Sequence, residues 1–358
     1  MNYSSSNEII SEQINWLELL YQIKTYKKMS LKYIIKKNVV NIFSIRVFLD
    51  SYFCKINIFS QSIKNIKSWV LLWLFNIHDL LYRNAHTRII KKINSFFKNL
   101  ILDKRTFSTC SITEPSLLII YPLILFACVN KDEKFSKDDI RFVYIFLRKL
   151  QFKDNFFRSS FLGEIDPRNS YCAFIISSLL NTMTNELAGL YFFFDKNSKN
   201  LDDCFSLEKS REGHGAISFC FLSTGLFYYN YQSICYATFS NSDWLVERQQ
   251  FYNNQFQGRT SKLTDSCYFY WIGAISVVFS FPFSQKIFNL FRMNREVYSS
   301  GYSDKPGNLP DLYHTSYSLL ALCLLNFLNK NQQNLSKINP IFSLRELIIV
   351  KNFSKYLM

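Results

Sequence analysis

The sequence predicts an all-α protein built from repeated helix pairs, and three observations lead there. Helix-length apolar stretches recur at 15–20, 69–81, 117–129, 140–150, 171–182, 216–227, 267–280 and 313–328, and polar, turn-rich breaks such as NKDEKFSKDD, LDDCFSLEKSREGHG and GYSDKPGNLPD separate them. The two-residue alternation of a half-buried strand is nearly absent. From residue 117 onward, successive long stretches lie about 45–55 residues apart, which leaves room for a second helix in each interval, the signature of a helical repeat. Six of the nine glycines (Gly163, Gly213, Gly215, Gly258, Gly301 and Gly307) sit at or beside the breaks, where a left-handed turn or a close backbone approach would need them.

A chain of 358 residues with 48% apolar content can bury a sizeable core as one large domain or two ordinary ones, which excludes a disordered tail protein. The formal charge of +15 fits an anionic partner such as nucleic acid, a lipid surface or a phosphorylated small molecule. It fits better a drift toward Lys, Asn, Ile, Phe and Tyr with solvated helix faces, since much of the excess falls in the first 105 residues. The nine cysteines are scattered singly, without a CxxC, and residues 1–30 lack a signal-peptide pattern; a reducing compartment, the cytoplasm, is expected. The longest apolar runs, 116–129 and 268–283, are interrupted by Pro or polar residues and fall short of the roughly 18–20 residues of a bilayer span, so buried helices are expected and no transmembrane segment.

Four breaks hold unusual densities of ionisable groups: Glu164, Asp166 and Arg168; Glu212 and His214; Arg259, Lys262, Asp265 and Cys267; Asp304, Lys305, Asp311, Tyr313 and His314. If the repeat closes on itself, these breaks gather at one mouth. Asp265, Cys267 and His314 together offer a carboxylate, a thiolate and an imidazole, a set that suits zinc and leaves its fourth position open. On spacing alone, Cys267 reads as well as a small core residue and His314 as a satisfied structural one. Arg259 and Lys262, three apart, present two charges to one side of a helical turn; with His214, Lys305 and the Tyr268 phenol they could hold a phosphate or diphosphate, or simply form a solvated face.

At these residues the sequence resembles the β subunits of the CaaX protein prenyltransferases, the farnesyltransferases in particular. FQGRTSKLTDSCYFYW (256–271) is similar to that family's G-R-x-x-K-x-x-D-x-C-Y-x-x-W block, and DKPGNLPDLYHT (304–315) to its D-K-P-G-x-x-x-D-x-Y-H-T block. EGHGAISFC (212–220) resembles its E-x-H-G-G-x-T-F-C block, GEIDPRNSYCA (163–173) its G-E-x-D-x-R-x-x-Y-C-A block, and SWVLLWLFNIHDLL (68–81) the helix whose two Trp residues line the isoprenoid pocket.

The resemblance implies an α/α toroid, a double ring of helices around an apolar funnel, in a domain spanning 56–358 behind a divergent basic extension of residues 1–55. It implies a catalytic β subunit that pairs with a helical α subunit and transfers farnesyl from farnesyl diphosphate to the Cys of a C-terminal CaaX motif. Zinc would be held by Asp265, Cys267 and His314, diphosphate by His214, Arg259, Lys262 and Tyr268 with Lys305 nearby, and magnesium would be used near Asp304. Arg168 would meet the acceptor's C-terminus, while Trp69, Trp73, Tyr171, Cys220, Trp271, Tyr313 and Tyr317 would line the isoprenoid and peptide pocket. Trp69 matches the bulky floor that limits the pocket to a farnesyl chain; a type I geranylgeranyltransferase β subunit and a non-catalytic scaffold are the alternatives. A nucleic-acid-binding repeat would rest on charge alone, and a terpene cyclase would need a DxDD motif that is absent. The chain departs from the family at ILDKRTFSTCSITEPS, where a glycine-rich turn is usual, at Ala216 in place of the second Gly of H-G-G, and at Ile217 in place of a frequent Tyr.

Overall fold

The computed structural model describes residues 66–82, 115–129, 135–152, 156–182, 204–207, 211–229, 243–249, 255–279, 301–305, 307–328 and 336–346, with helical residues at 45, 47–49, 52, 91, 94 and 95. The helix expected at 15–20 and the ILDKRTFSTCSITE stretch lie outside them. The elements are α1 (Lys67–Tyr82), α2 (Leu117–Val129), α3 (Lys137–Leu150), α4 (Pro167–Leu179), α5 (Gly215–Tyr229), α6 (Asp243–Glu247), α7 (Tyr268–Phe279) and α8 (Leu312–Leu328), followed by a short hairpin of β1 (Ile338–Asn339) and β2 (Leu344–Arg345). Helix α1 packs on α2, α2 on α4, α4 on α5, α5 on α7, α7 on α8, and α8 back on α1, so these helices close a ring.

Composition explains which helices form the ring. Helix α2, LLIIYPLILFACV, is apolar on every side, and in α4 every residue except Arg168 is buried; such helices need neighbours on both flanks and on the inner face. Helix α3 instead buries only the stripe Val143, Phe146, Leu147 and Leu150 and exposes Arg141, Arg148 and Lys149, the pattern of a helix with one face in solvent. Its start is fixed by a capping box in which Ser136 Oγ accepts from the Asp139 N–H and Asp139 accepts from the Ser136 N–H.

Most helices begin within a few residues of where the apolar pattern places them, and the largest shift is informative. Helix α4 starts at Pro167, four residues ahead of the apolar run, because Asp166 caps it and Pro167 occupies its first turn without needing a donor. Residues leading into the ring helices repeat one arrangement. The His214 N–H donates to Phe205 O (2.9 Å) and the Asp265 N–H to Phe256 O (3.2 Å), with donors and acceptors each 51 residues apart. Bridges Gln151↔Phe157 and Arg158↔Ile165 before α4 recur as Gln249↔Phe256 and Gln257↔Thr264 before α7. All four ionisable breaks therefore stand at helix N-termini, at one end of the ring.

The hairpin is a finding the sequence pattern does not reveal, because its paired segments are two residues long. It is tied to the ring helices by the Tyr171 hydroxyl, which donates to Ile341 O (2.7 Å), and the Tyr270 hydroxyl, which donates to Pro340 O (2.7 Å). Arg345 Nε donates to Asp79 Oδ2 of α1 (2.6 Å), an ion pair with both side chains 13% exposed. Ile45, Phe48 and Leu49, which fall within 1–55, are buried in the same core as the ring helices. Among the described residues no helix is long and apolar enough to cross a membrane.

One buried titratable group of α1 gives the fold an acid limit. Burial lowers the His78 pKa to about 4, whereas the unfolded chain titrates near 6.5. A depressed pKa stabilises the fold fully above pH 6.5, and that contribution disappears as pH falls through 4, about 3 kcal/mol in all. Denaturant unfolding at a series of pH values should show His78→Gln binding about one proton fewer on unfolding across this window.

Candidate metal and anion site

The loop entering α7 and the loop entering α8 are stitched together. The Ser266 N–H donates to Asp304 O (2.8 Å) and Ser266 Oγ donates to Ser303 O (2.7 Å). The second loop is in turn fixed to α8, since the Tyr302 N–H donates to Thr315 Oγ1 (2.9 Å) and the Asp311 N–H to Tyr302 O (3.3 Å). Gly301 makes this possible at φ +118°, where a Cβ would come within 3.0 Å of Phe48 and Thr315.

These bonds bring Asp265, Cys267 and His314 together, with their candidate donor atoms all within 4.8 Å of one another. Asp265 Oδ1 lies 3.3 Å from His314 Nε2 and accepts the Cys267 N–H at 2.8 Å. A tetrahedral ion with bonds of 2.0–2.3 Å separates its ligand atoms by about 3.4 Å, so the carboxylate–imidazole spacing is already that of a zinc site. Asp311 supplies the outer support. Its Oδ1 caps α8 by accepting the His314 N–H (2.9 Å), and its Oδ2 lies 2.5 Å from His314 Nδ1, which fixes the ring with Nε2 facing Asp265.

The electrostatics agree with a cation-binding cluster. Burial raises the Cys267 thiol well above its usual range and the Asp265 carboxylate adds to the effect, so the sulfur needs a positive partner to ionise. Burial also works against the charge of Asp265, but the bonds from His314 and Cys267 outweigh it and keep the carboxyl below its usual pKa. On His314, burial is outweighed by bonds to Asp265 and Asp311, which hold the imidazole up at about 9. Near pH 7 the Asp265 carboxylate is therefore balanced by the His314 imidazolium beside a neutral Cys267 thiol, and a cation would bind as those two protons leave.

Beside this cluster lies a donor-rich face. The Gly215 N–H donates to Gly258 O (2.8 Å), joining the start of α5 to the turn that carries Arg259 and Lys262. Gly258 is required there, because a Cβ would fall 1.7 Å from the Tyr268 ring. Burial, then Arg259 and Arg168, lower the His214 pKa to about 4, so the imidazole is neutral near pH 7. Its Nδ1 accepts the Ala216 N–H (3.1 Å), which leaves the proton on Nε2, 3.4 Å from the Tyr268 hydroxyl. Burial likewise keeps the Tyr268 phenol protonated. Arg259 Nη1 meets Glu212 Oε1 at 2.8 Å, and Lys262 is exposed. Lys305 stands instead with Asp304 (3.8 Å), whose two carboxylate oxygens also accept from Asn308 (2.8 and 3.1 Å). Arg168 is held by Asp166 through Nε and Nη2.

Aromatic rings complete the interior. Neighbouring rings run Trp69, Tyr121, Tyr171, Phe219, Trp271, Tyr317, Tyr313, Trp73 and back to Trp69, with centroids 4.5–6.2 Å apart, and all six ring-forming helices contribute to this circuit. The Trp271 Nε1–H donates to the Tyr313 hydroxyl (3.3 Å), and the hydroxyls of Tyr121 and Tyr171 lie 3.4 Å apart. Cys220 is buried beside this belt, and burial pushes its thiol up. Tyr121, Phe219 and Asp311 have places in the cluster that the sequence did not assign. The first two are indistinguishable from core residues inside apolar helices; Asp311 was signalled by its position three residues before His314 at a helix start.

Comparison with known proteins agrees with this geometry. Residues 45–344 match the family described as the prenyltransferase alpha-alpha toroid domain. The protein farnesyltransferase subunit beta of Pyricularia oryzae is 27% identical over 296 residues, covering 72% of this chain and 57% of that protein. The geranylgeranyl transferase type-1 subunit beta of Arabidopsis thaliana is 31% identical over 220 residues, covering 57% of this chain and 56% of that one. The chain thus spans a little over half the length of these relatives. The solved Candida albicans protein geranylgeranyltransferase-I complexed with GGPP superposes with a TM-score of 0.61 at 18% identity, over 89% of this chain and 99% of that one, which shows a shared fold. With a closed ring of helices and a family match across most of its length, the chain belongs to the prenyltransferase alpha-alpha toroid family.

Proposed function

We propose that this chain is the catalytic β subunit of a cytoplasmic, zinc-dependent protein farnesyltransferase, paired with an α subunit and acting on proteins that end in a CaaX motif. The observation that carries the reading is the meeting of Asp265, Cys267 and His314 beside the face formed by His214, Arg259, Lys262 and Tyr268. In this assignment residues 56–358 form the toroid domain, and 1–55 an N-terminal segment of which Ile45, Phe48 and Leu49 pack into the core.

Zinc held by the three residues would supply the positive charge that keeps an incoming Cys thiol deprotonated at neutral pH. Its uptake would displace the protons of Cys267 and His314. The chain's own groups then act on the donor. As the allylic carbon–oxygen bond breaks and the carbon–sulfur bond forms, diphosphate leaves with the electron pair. The guanidinium of Arg259, the ammonium of Lys262, the neutral His214 Nε2–H and the Tyr268 hydroxyl would donate to its oxygens, with Lys305 at the edge. The thiol proton passes to solvent. Asp304 would offer a carboxylate to magnesium, which would add positive charge beside the departing diphosphate. The aromatic circuit from Trp69 to Tyr317 would surround the isoprenoid, each buried methylene contributing about 0.8 kcal/mol. Arg168, steadied by Asp166, would pair with the acceptor's terminal carboxylate.

Both donor classes occur among the relatives, which keeps a type I geranylgeranyltransferase as the second reading. Trp69 favours the shorter donor, because its indole packs against both Trp73 and Tyr121 and closes that side of the circuit. A transfer assay of the co-purified pair with a CaaX peptide should show higher kcat/KM with farnesyl than with geranylgeranyl diphosphate, and Trp69→Thr should shift the ratio toward the longer chain. The reverse preference in the unmodified protein would favour the second reading, and transfer from neither donor would leave a scaffold. The pair should carry one zinc per β chain, lost in Cys267→Ala, and chelator competition should show Asp311→Asn binding zinc about 10–100-fold more weakly. Arg259→Ala should lower kcat about 100–1,000-fold with zinc retained.

A further inference from the structure

Resting on the diphosphate reading of that face, we infer that Arg248 is a positioning residue for its two cations and acts through Thr260. Arg248 follows α6, outside the turn that carries Arg259 and Lys262, and is only 7% exposed. Burying a guanidinium is costly unless its donors are used. Here Nη1 donates to Thr260 Oγ1 (2.8 Å) and Nε to Trp244 O (3.3 Å), while Cζ lies 4.9 Å from the centre of the Trp244 ring. The backbone adds a second link, since the Gln257 N–H donates to Arg248 O (2.8 Å) and Gln249 bridges Phe256.

The turn needs such a brace. Thr260 lies directly between Arg259 and Ser261, and Ser261 has φ +55°, a left-handed conformation that a residue with a Cβ keeps only when its surroundings enforce it. Within the turn itself the Lys262 N–H reaches Arg259 O at 3.4 Å, a long bond that gives little hold. The Arg248–Thr260 bond ties the middle of this strained segment to the buried Trp244 shelf and sets the direction in which Arg259 and Lys262 leave the backbone. Glu212 Oε1, 2.8 Å from Arg259 Nη1, holds the Arg259 guanidinium itself. Arg248 would thus act on the donor's charged head and not on its hydrocarbon chain.

The test uses the full chain co-purified with its α subunit, with inorganic pyrophosphate, farnesyl diphosphate and farnesol as probes. Thr260→Val removes the acceptor while keeping the side-chain shape; because one buried Arg248 donor is left unpaired, Tm should fall by a few °C with the complex still folded. It should weaken pyrophosphate and farnesyl diphosphate about tenfold and raise the KM for farnesyl diphosphate to match. Farnesol affinity, the KM for the acceptor peptide and zinc content should hold. Thr260→Ser should restore the unmodified values, and Arg248→Lys should fall between. Unmodified diphosphate affinity in Thr260→Val, or an equal loss of farnesol affinity, overturns the inference. No pyrophosphate binding by the unmodified complex overturns the reading of the site on which it rests.

Discussion

Two hydrogen bonds from Ser266, to the carbonyls of Ser303 and Asp304, hold the functional end of this protein together. They join the entry to α7 with the entry to α8, and so bring Asp265 and Cys267 to His314 across 47 residues of chain. The bonds exist because α7 and α8 pack directly against each other as neighbours in the ring, which brings their two entry loops side by side. Their acceptors are main-chain carbonyls, so these two bonds do not depend on which side chains stand at 303 and 304.

The site itself is an assembly of helix starts. Four ring helices begin at the same end, and their unpaired N–H groups need acceptors or anions. Some of that need is met locally: Asp166 caps α4, Asp311 caps α8, and Asp265 accepts from Cys267 ahead of α7. Capping carboxylates are thereby also ligand candidates or their supports, and the positive ends of the helices face the side on which Arg259 and Lys262 stand. One structural requirement, capping, has placed the acids, and the array has placed them together.

The all-α class, the repeat and most helix spans were legible because apolar runs of helical length are separated by polar breaks with glycine. Helix starts were less legible, as α4 shows: Asp166 and Pro167 extend it beyond its apolar run. The convergence of Asp265, Cys267 and His314 followed from the resemblance and not from spacing, since no periodicity relates residue 265 to residue 314. Tyr121 and Phe219 were hidden because an aromatic residue facing the interior of a ring looks in sequence like one facing a neighbouring helix. The hairpin at 338–345 was hidden because its order comes from tertiary bonds, with the phenols of Tyr171 and Tyr270 and the carboxylate of Asp79, and not from strand alternation.

The central claim is that the three convergent side chains hold a cation with a place left for an incoming sulfur. X-ray absorption at the zinc edge of the isolated complex, before and after addition of a peptide ending in CaaX, tests it most directly. One sulfur and lighter nitrogen or oxygen neighbours are expected before addition, and two sulfurs after it. A shell without sulfur, or one that the peptide leaves unchanged, would contradict it.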